Sequence, residues 1–150
     1  MAELTREDVE QIVKAARQKG ERPNFSQMDL SNMSLFGADL SEVDLSEANL
    51  RQSTLSKANL RQANLRKANL AGASLSQADL SGADLSQVEL FQAGLSEANL
   101  SGANLREANL NGTNLNKANL DGADLSGATY TAHTKWSVDF DPVKAGAVRR

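Results

Sequence analysis

From Phe25 onward every fifth residue is large and apolar: Leu fills all twenty positions from Leu30 to Leu125, and Tyr130 closes the row. Two residues before each of these sits a small one, as in Ala38, Ala48, Ala58, Ala63, Ala98 and Ala108. Asn or Asp stands between, as in Asn59, Asp79 and Asn109, and the remaining two positions are polar or Gly. An α-helix advances about 500° in five residues, so the leucines would drift round it and form no stripe. On a flat strand an odd period throws successive leucines onto opposite faces. The pattern is consistent only if the chain turns once per repeat, always the same way, with Leu and the small residue pointing inward. Long low-complexity disorder is the alternative, and the uninterrupted apolar row argues against it.

The unit Ala-Asp/Asn-Leu-Ser/Arg-x, seen in Ala38-Asp39-Leu40-Ser41-Glu42 and Ala108-Asn109-Leu110-Asn111-Gly112, resembles the pentapeptide-repeat family over residues 23 to 130. The resemblance implies an all-β solenoid: a right-handed quadrilateral parallel β-helix, four pentapeptides per coil, with an N-terminal capping α-helix and a short C-terminal cap. Four sides and the hand come from the resemblance, not from the period. The expected organisation is residues 1–22 as capping helix and linker, 23–130 as repeat domain and 131–150 as capping tail. Met28, Met33, Val43 and Val88 are larger occupants of the small position and imply local widening there. Ser53 and Thr113 occupy the same position and need internal hydrogen-bond partners. Asn or Asp beside each bend can bond its own backbone.

The regular pattern stops at both ends, where a stack of coils would leave unpaired backbone. At the front, Thr5 and Asp8 read as a capping box, Leu4 and Val9 as its staple, and Val9, Ile12, Val13 and Ala16 as a helical stripe. Gly20 and Pro23 end the helix, which is expected over 5–19. At the back, Trp136 and Phe140 suggest an aromatic plug, and Asp141-Pro142 resembles the start of a short helix. The segment from Thr134 to Ala147 is similar to the tail of cyanobacterial members of the family. Arg149 and Arg150 are expected to fray.

Composition adds mainly exclusions. The chain has no Cys and one His, His133, so metal clusters, cofactor thiolates and Ser/His or Cys/His nucleophile pairs lack parts. No catalytic, cofactor-binding or metal-binding residue is assigned, no cofactor is expected, and the chain reads as no enzyme. No apolar stretch resembles a signal peptide or a membrane span, which implies a cytoplasmic location and no membrane partner. Residues 23–130 hold twelve acids and seven bases, a charge of −5, and the bases Arg51, Lys57, Arg61, Arg66 and Lys67 form a belt between two acidic zones. The belt is too small for nucleic-acid binding. Phe36 and Phe91 occupy slots where Ser or Arg is usual and are candidate contacts for another protein.

The function expected from these residues is a non-catalytic scaffold or protein-interaction module. Some members of the family imitate duplex DNA and bind type II topoisomerases, and that DNA-mimicking role is the alternative. A monomer is expected in preference to a C-terminal homodimer.

Overall fold

One turn, used over and over, builds this molecule. The leucine carbonyl accepts the amide three residues on, as in Ala38 N to Leu35 O at 3.0 Å and Ala78 N to Leu75 O at 3.0 Å. Within each such turn the third residue lies at positive φ, every fifth residue from Gln27 to Gly127, between 56° and 74°. Asn and Asp prepare the bend: the amide two residues on donates to their Oδ1, as from Ser26 to Asn24 at 2.9 Å and Arg61 to Asn59 at 3.1 Å. Gly is the unstrained occupant of the positive-φ slot, yet Gln, Glu and Lys hold most of these positions. Each carries a local cost of roughly 1–2 kcal/mol.

In the computed structural model, which describes residues 4–150, the chain meets itself every 20 residues. Parallel single-residue bridges fall into four columns, exemplified by Asn24↔Asp44↔Asn64, Asp29↔Asn49↔Asn69, Ser34↔Thr54↔Ser74 and Asp39↔Asn59↔Asp79. From Asp44 to Thr129 each bridged residue donates to the carbonyl 21 residues earlier, and from Phe25 to Leu110 the residue after each bridge donates to the carbonyl 19 residues later. The leucines from Leu30 to Leu125 are buried, with the small residues packed between them. Val43 and Val88 are accommodated inside, whereas Met28 on the first layer is 38% exposed. Ser53 Oγ donates to Leu50 O at 2.7 Å and Thr113 Oγ1 to Leu90 O at 2.7 Å, the internal partners these hydroxyls need.

This corrects the expected all-β class and the right-handed quadrilateral parallel β-helix solenoid. Among the described residues the only strands are β1 (Thr129–Tyr130) and β2 (Val148–Arg149), which form one open two-stranded parallel sheet. The physical reason lies in the turn: a left-handed residue every fifth position interrupts extended backbone before a second consecutive residue can pair. Pairing is therefore reduced to isolated bridges. The fold is better described as a turn-rich repeat with minimal strand.

At the N-terminal end, α1 (Arg6–Gln18) begins at Thr5, whose side chain accepts the Asp8 amide while Asp8 accepts the Thr5 amide. It ends in a Schellman pattern, with Gly20 at φ 70° and Glu21 N donating to Ala16 O at 2.9 Å. Val9 and Val13 are buried against the core, and Leu4 and Ile12 pack beside them. Residues 1–3 of the expected first segment lie outside the described residues. At the other end Trp136 stands edge-on to Tyr130 (centroids 5.4 Å apart) and stacks on Phe140 at 5.1 Å. After Asp141-Pro142 there are turns and no helix. Arg149 and Arg150 are not frayed, since Val148–Arg149 pairs with β1 and Arg150 N donates to Tyr130 O at 2.8 Å.

Candidate interaction surface

The four columns decide which outward side chains are neighbours. Arg51, Lys57, Arg61, Arg66 and Lys67 are all exposed, and they spread around one layer so that every column carries at least one. Arg61 reaches Asp79 of the next layer at 3.5 Å. Lys57 Nζ lies 6.0 Å from the Phe36 ring centroid, at the outer limit of a cation–π contact. Among the described residues Arg51, Arg66 and Lys67 make no ion pair. The belt is thus a ring rather than a patch.

Phe36 is 50% exposed and Phe91 45%, large values for aromatic side chains. They stand on adjacent columns nearly three layers apart, so the fold does not bring them together. Phe91 follows Glu89, whose Oε1 accepts the Phe91 amide at 3.2 Å. In its own column, Ala71 lies one layer before it and Asn111 one layer after. Small neighbours leave the ring standing proud of the surface. The exposed groove between α1 and residues Gly37–Leu40 was not foreseen in the sequence, because it arises only where helix and first layer meet.

Charge follows the same columns. The column that includes Asp39 and Asp79 carries Asp39, Glu42, Asp79 and Asp121 against Arg61, whereas the column through Ser34 and Thr54 carries no charge at its bridging positions from Ser34 to Asn114. Asp29 is held below the usual aspartate range by the Ser31 hydroxyl and amide, and Asp124 by those of Ser126 with help from Arg106. Burial pushes Asp39 and Asp79 up, but the hydroxyl and amide of Ser41 and Ser81, with Arg17 and Arg61, outweigh it. A depressed folded value adds stability that is complete above the unfolded pKa of about 3.9 and is lost as pH falls through the folded value. The urea midpoint should therefore be flat from pH 7 to 5 and drop by pH 3. An unchanged midpoint at pH 3 would show that these aspartates add nothing.

Among the described residues no group of three or more His, Cys, Asp or Glu side chains could hold a metal ion. Among the described residues no helix is long and apolar enough to cross a membrane. The outward surface consists of turn-forming and solvated groups on a repeated backbone, the mark of a structural repeat protein. The chain belongs to the pentapeptide-repeat family: the model described as pentapeptide repeats matches residues 21–52, 53–90 and 93–129, more than half of the chain.

Solved structures similar to it include the pentapeptide repeat protein Rfr23 of the cyanobacterium Cyanothece 51142. Identity there is 31% over 75% of this chain and 87% of that one, with a TM-score of 0.44. The pentapeptide repeat protein alr5209 from Nostoc PCC 7120 is 32% identical, with 95% of each chain covered and a TM-score of 0.39. A pentapeptide repeat protein of the Arabidopsis thaliana thylakoid lumen is 31% identical over 73% of this chain and 66% of that one, with a TM-score of 0.33. No curated protein matches.

Proposed function

We propose that this chain is a protein-interaction module of the scaffold type, contacting its partner through Phe36, Phe91 and the belt Arg51, Lys57, Arg61, Arg66 and Lys67. The carrying observation is the half-exposure of two phenylalanines in slots that elsewhere hold small or polar side chains. An exposed aromatic with a cation beside it, as Lys57 stands beside Phe36, suits an apolar anchor on an acidic protein. The same reading takes residues 1–22 and 131–150 as covers of a repeat domain over 23–130, and the protein as a cytoplasmic monomer of cyanobacterial type.

A second reading, a DNA-mimicking binder of a type II topoisomerase, is favoured by the acidic column of Asp39, Glu42, Asp79 and Asp121. The belt interrupts that column at Arg61. One experiment separates the two. Quantitative affinity capture from the native cell, with wild type and Phe36→Ser/Phe91→Ser as baits, should lose its main partner at least tenfold in the variant. Equal recovery by both baits would remove the phenylalanines from the site. A topoisomerase recovered equally by both and displaced by duplex DNA would establish the second reading instead.

A further inference from the structure

Inside the stack, carbonyls on the edge of one layer accept amides from the layer before: Ser56 O from Gly37, Asn59 O from Leu40 and Arg61 O from Glu42, at 2.9, 2.7 and 2.8 Å. The equivalent carbonyls of the first layer belong to Phe36, Asp39 and Ser41, and no layer precedes them. Two arginines of α1 supply the donors. Arg6 Nη1 donates to Phe36 O at 2.7 Å, and Arg17 Nη2 donates to Ser41 O at 2.9 Å and to Asp39 O at 3.5 Å. Arg17 Nη1 also lies 3.3 Å from Asp39 Oδ2. The Asp39 amide, whose counterpart Asn59 N donates to Ala38 O at 2.9 Å, has no acceptor among the described residues.

We propose that Arg6 and Arg17 stand in for the missing layer, and that the edge they close, once released, pairs with the same edge of a second copy of this chain. This goes beyond the interaction reading above and does not depend on it. Asp39 offers an amide and a carbonyl on one side of the backbone, so the edge is self-complementary, and an exposed edge of this kind invites pairing. The far end offers no such seat. There Lys135, Gly146 and Val148–Arg149 cover three of the four columns, and in the fourth, the column of Asp39, Ser137 Oγ donates at 2.9 Å to Ala118 O, the acceptor that an incoming Asp39 amide would need. A released first layer therefore forms a closed head-to-head pair instead of an open head-to-tail chain.

The test compares full-length wild type with Arg6→Ala/Arg17→Ala, by hydrogen exchange of α1 and by sedimentation velocity over a concentration series. Exchange in α1 should quicken at least tenfold, and a dimer should appear with a dissociation constant at least tenfold below the wild-type value. Emission from Trp136, which reports the opposite end, should stay unchanged, and Arg6→Lys/Arg17→Lys, which keeps a donor at each site, should restore the monomer. Unchanged α1 exchange, released α1 without association, or assemblies that grow beyond a dimer would each overturn the proposal. If the double variant loses the native Trp136 emission, Arg17→Ala alone is judged by the same criteria.

Discussion

Leu75→Ala is expected to lower the free energy of unfolding by about 2–5 kcal/mol, the range for emptying a fully buried leucine site. Leu75 is 0% exposed and lies between Leu55 and Leu95 in its column, with Ala73 beside it in the same repeat. Its backbone is held on two sides: Leu75 N donates to Gly94 O at 2.6 Å, and Ala78 N donates to Leu75 O at 3.0 Å. Neighbouring layers therefore cannot close over the missing methyl groups without breaking hydrogen bonds, which puts the site toward the costly end of that range. The polar neighbour Ser76 points outward, and Ser76→Ala should stay within about 0.5 kcal/mol. Urea unfolding followed by circular dichroism reads both. A Leu75→Ala loss no larger than that of Ser76→Ala would mean that the core is not tightly packed.

Gln77→Pro should be comparably damaging although its side chain is exposed. Gln77 has φ 61° and donates its amide to Ser96 O at 2.9 Å. Proline fixes φ near −65° and has no N–H, so the turn is lost together with the interlayer bond. The combined cost is roughly 2–4 kcal/mol from backbone strain and the lost bond to Ser96 O. Gln77→Gly keeps the amide and relieves the left-handed cost of roughly 1–2 kcal/mol, offset by about 0.5–1 kcal/mol of extra unfolded-chain freedom. Its unfolding midpoint should thus match or slightly exceed that of wild type. A glycine variant as unstable as the proline variant would place the cost in the Gln77 side chain instead of the turn.

Both predictions rest on residues whose roles differ in how readable they are. The burial of Leu75 follows from its place in a five-residue row, because no other arrangement keeps twenty leucines from water. The positive φ of Gln77 does not, since Gln has no preference for that region and only the seven glycines in the same slot, Gly72 and Gly82 nearest among them, hint at it. The α1 capping box was legible because Thr5 and Asp8 are local partners three residues apart. The guanidinium contacts of Arg6 and Arg17 were not, because they join residues 22 to 30 positions apart. Phe36, Phe91 and the belt were visible as departures from the repeat. Their separation around the columns depended on the 20-residue layer.

The five-residue period alone thus determined what is inside, where the regular stack stops and to which family the chain belongs. These follow from the cost of exposing leucine and from short-range turn chemistry. Only the tertiary structure decided that pairing is limited to isolated bridges, that Val148 and Arg149 are tied down as β2, and that arginines finish the first layer. Those outcomes depend on which distant backbone groups meet, and hydrogen bonds between groups 20 or more residues apart leave no trace in a local pattern.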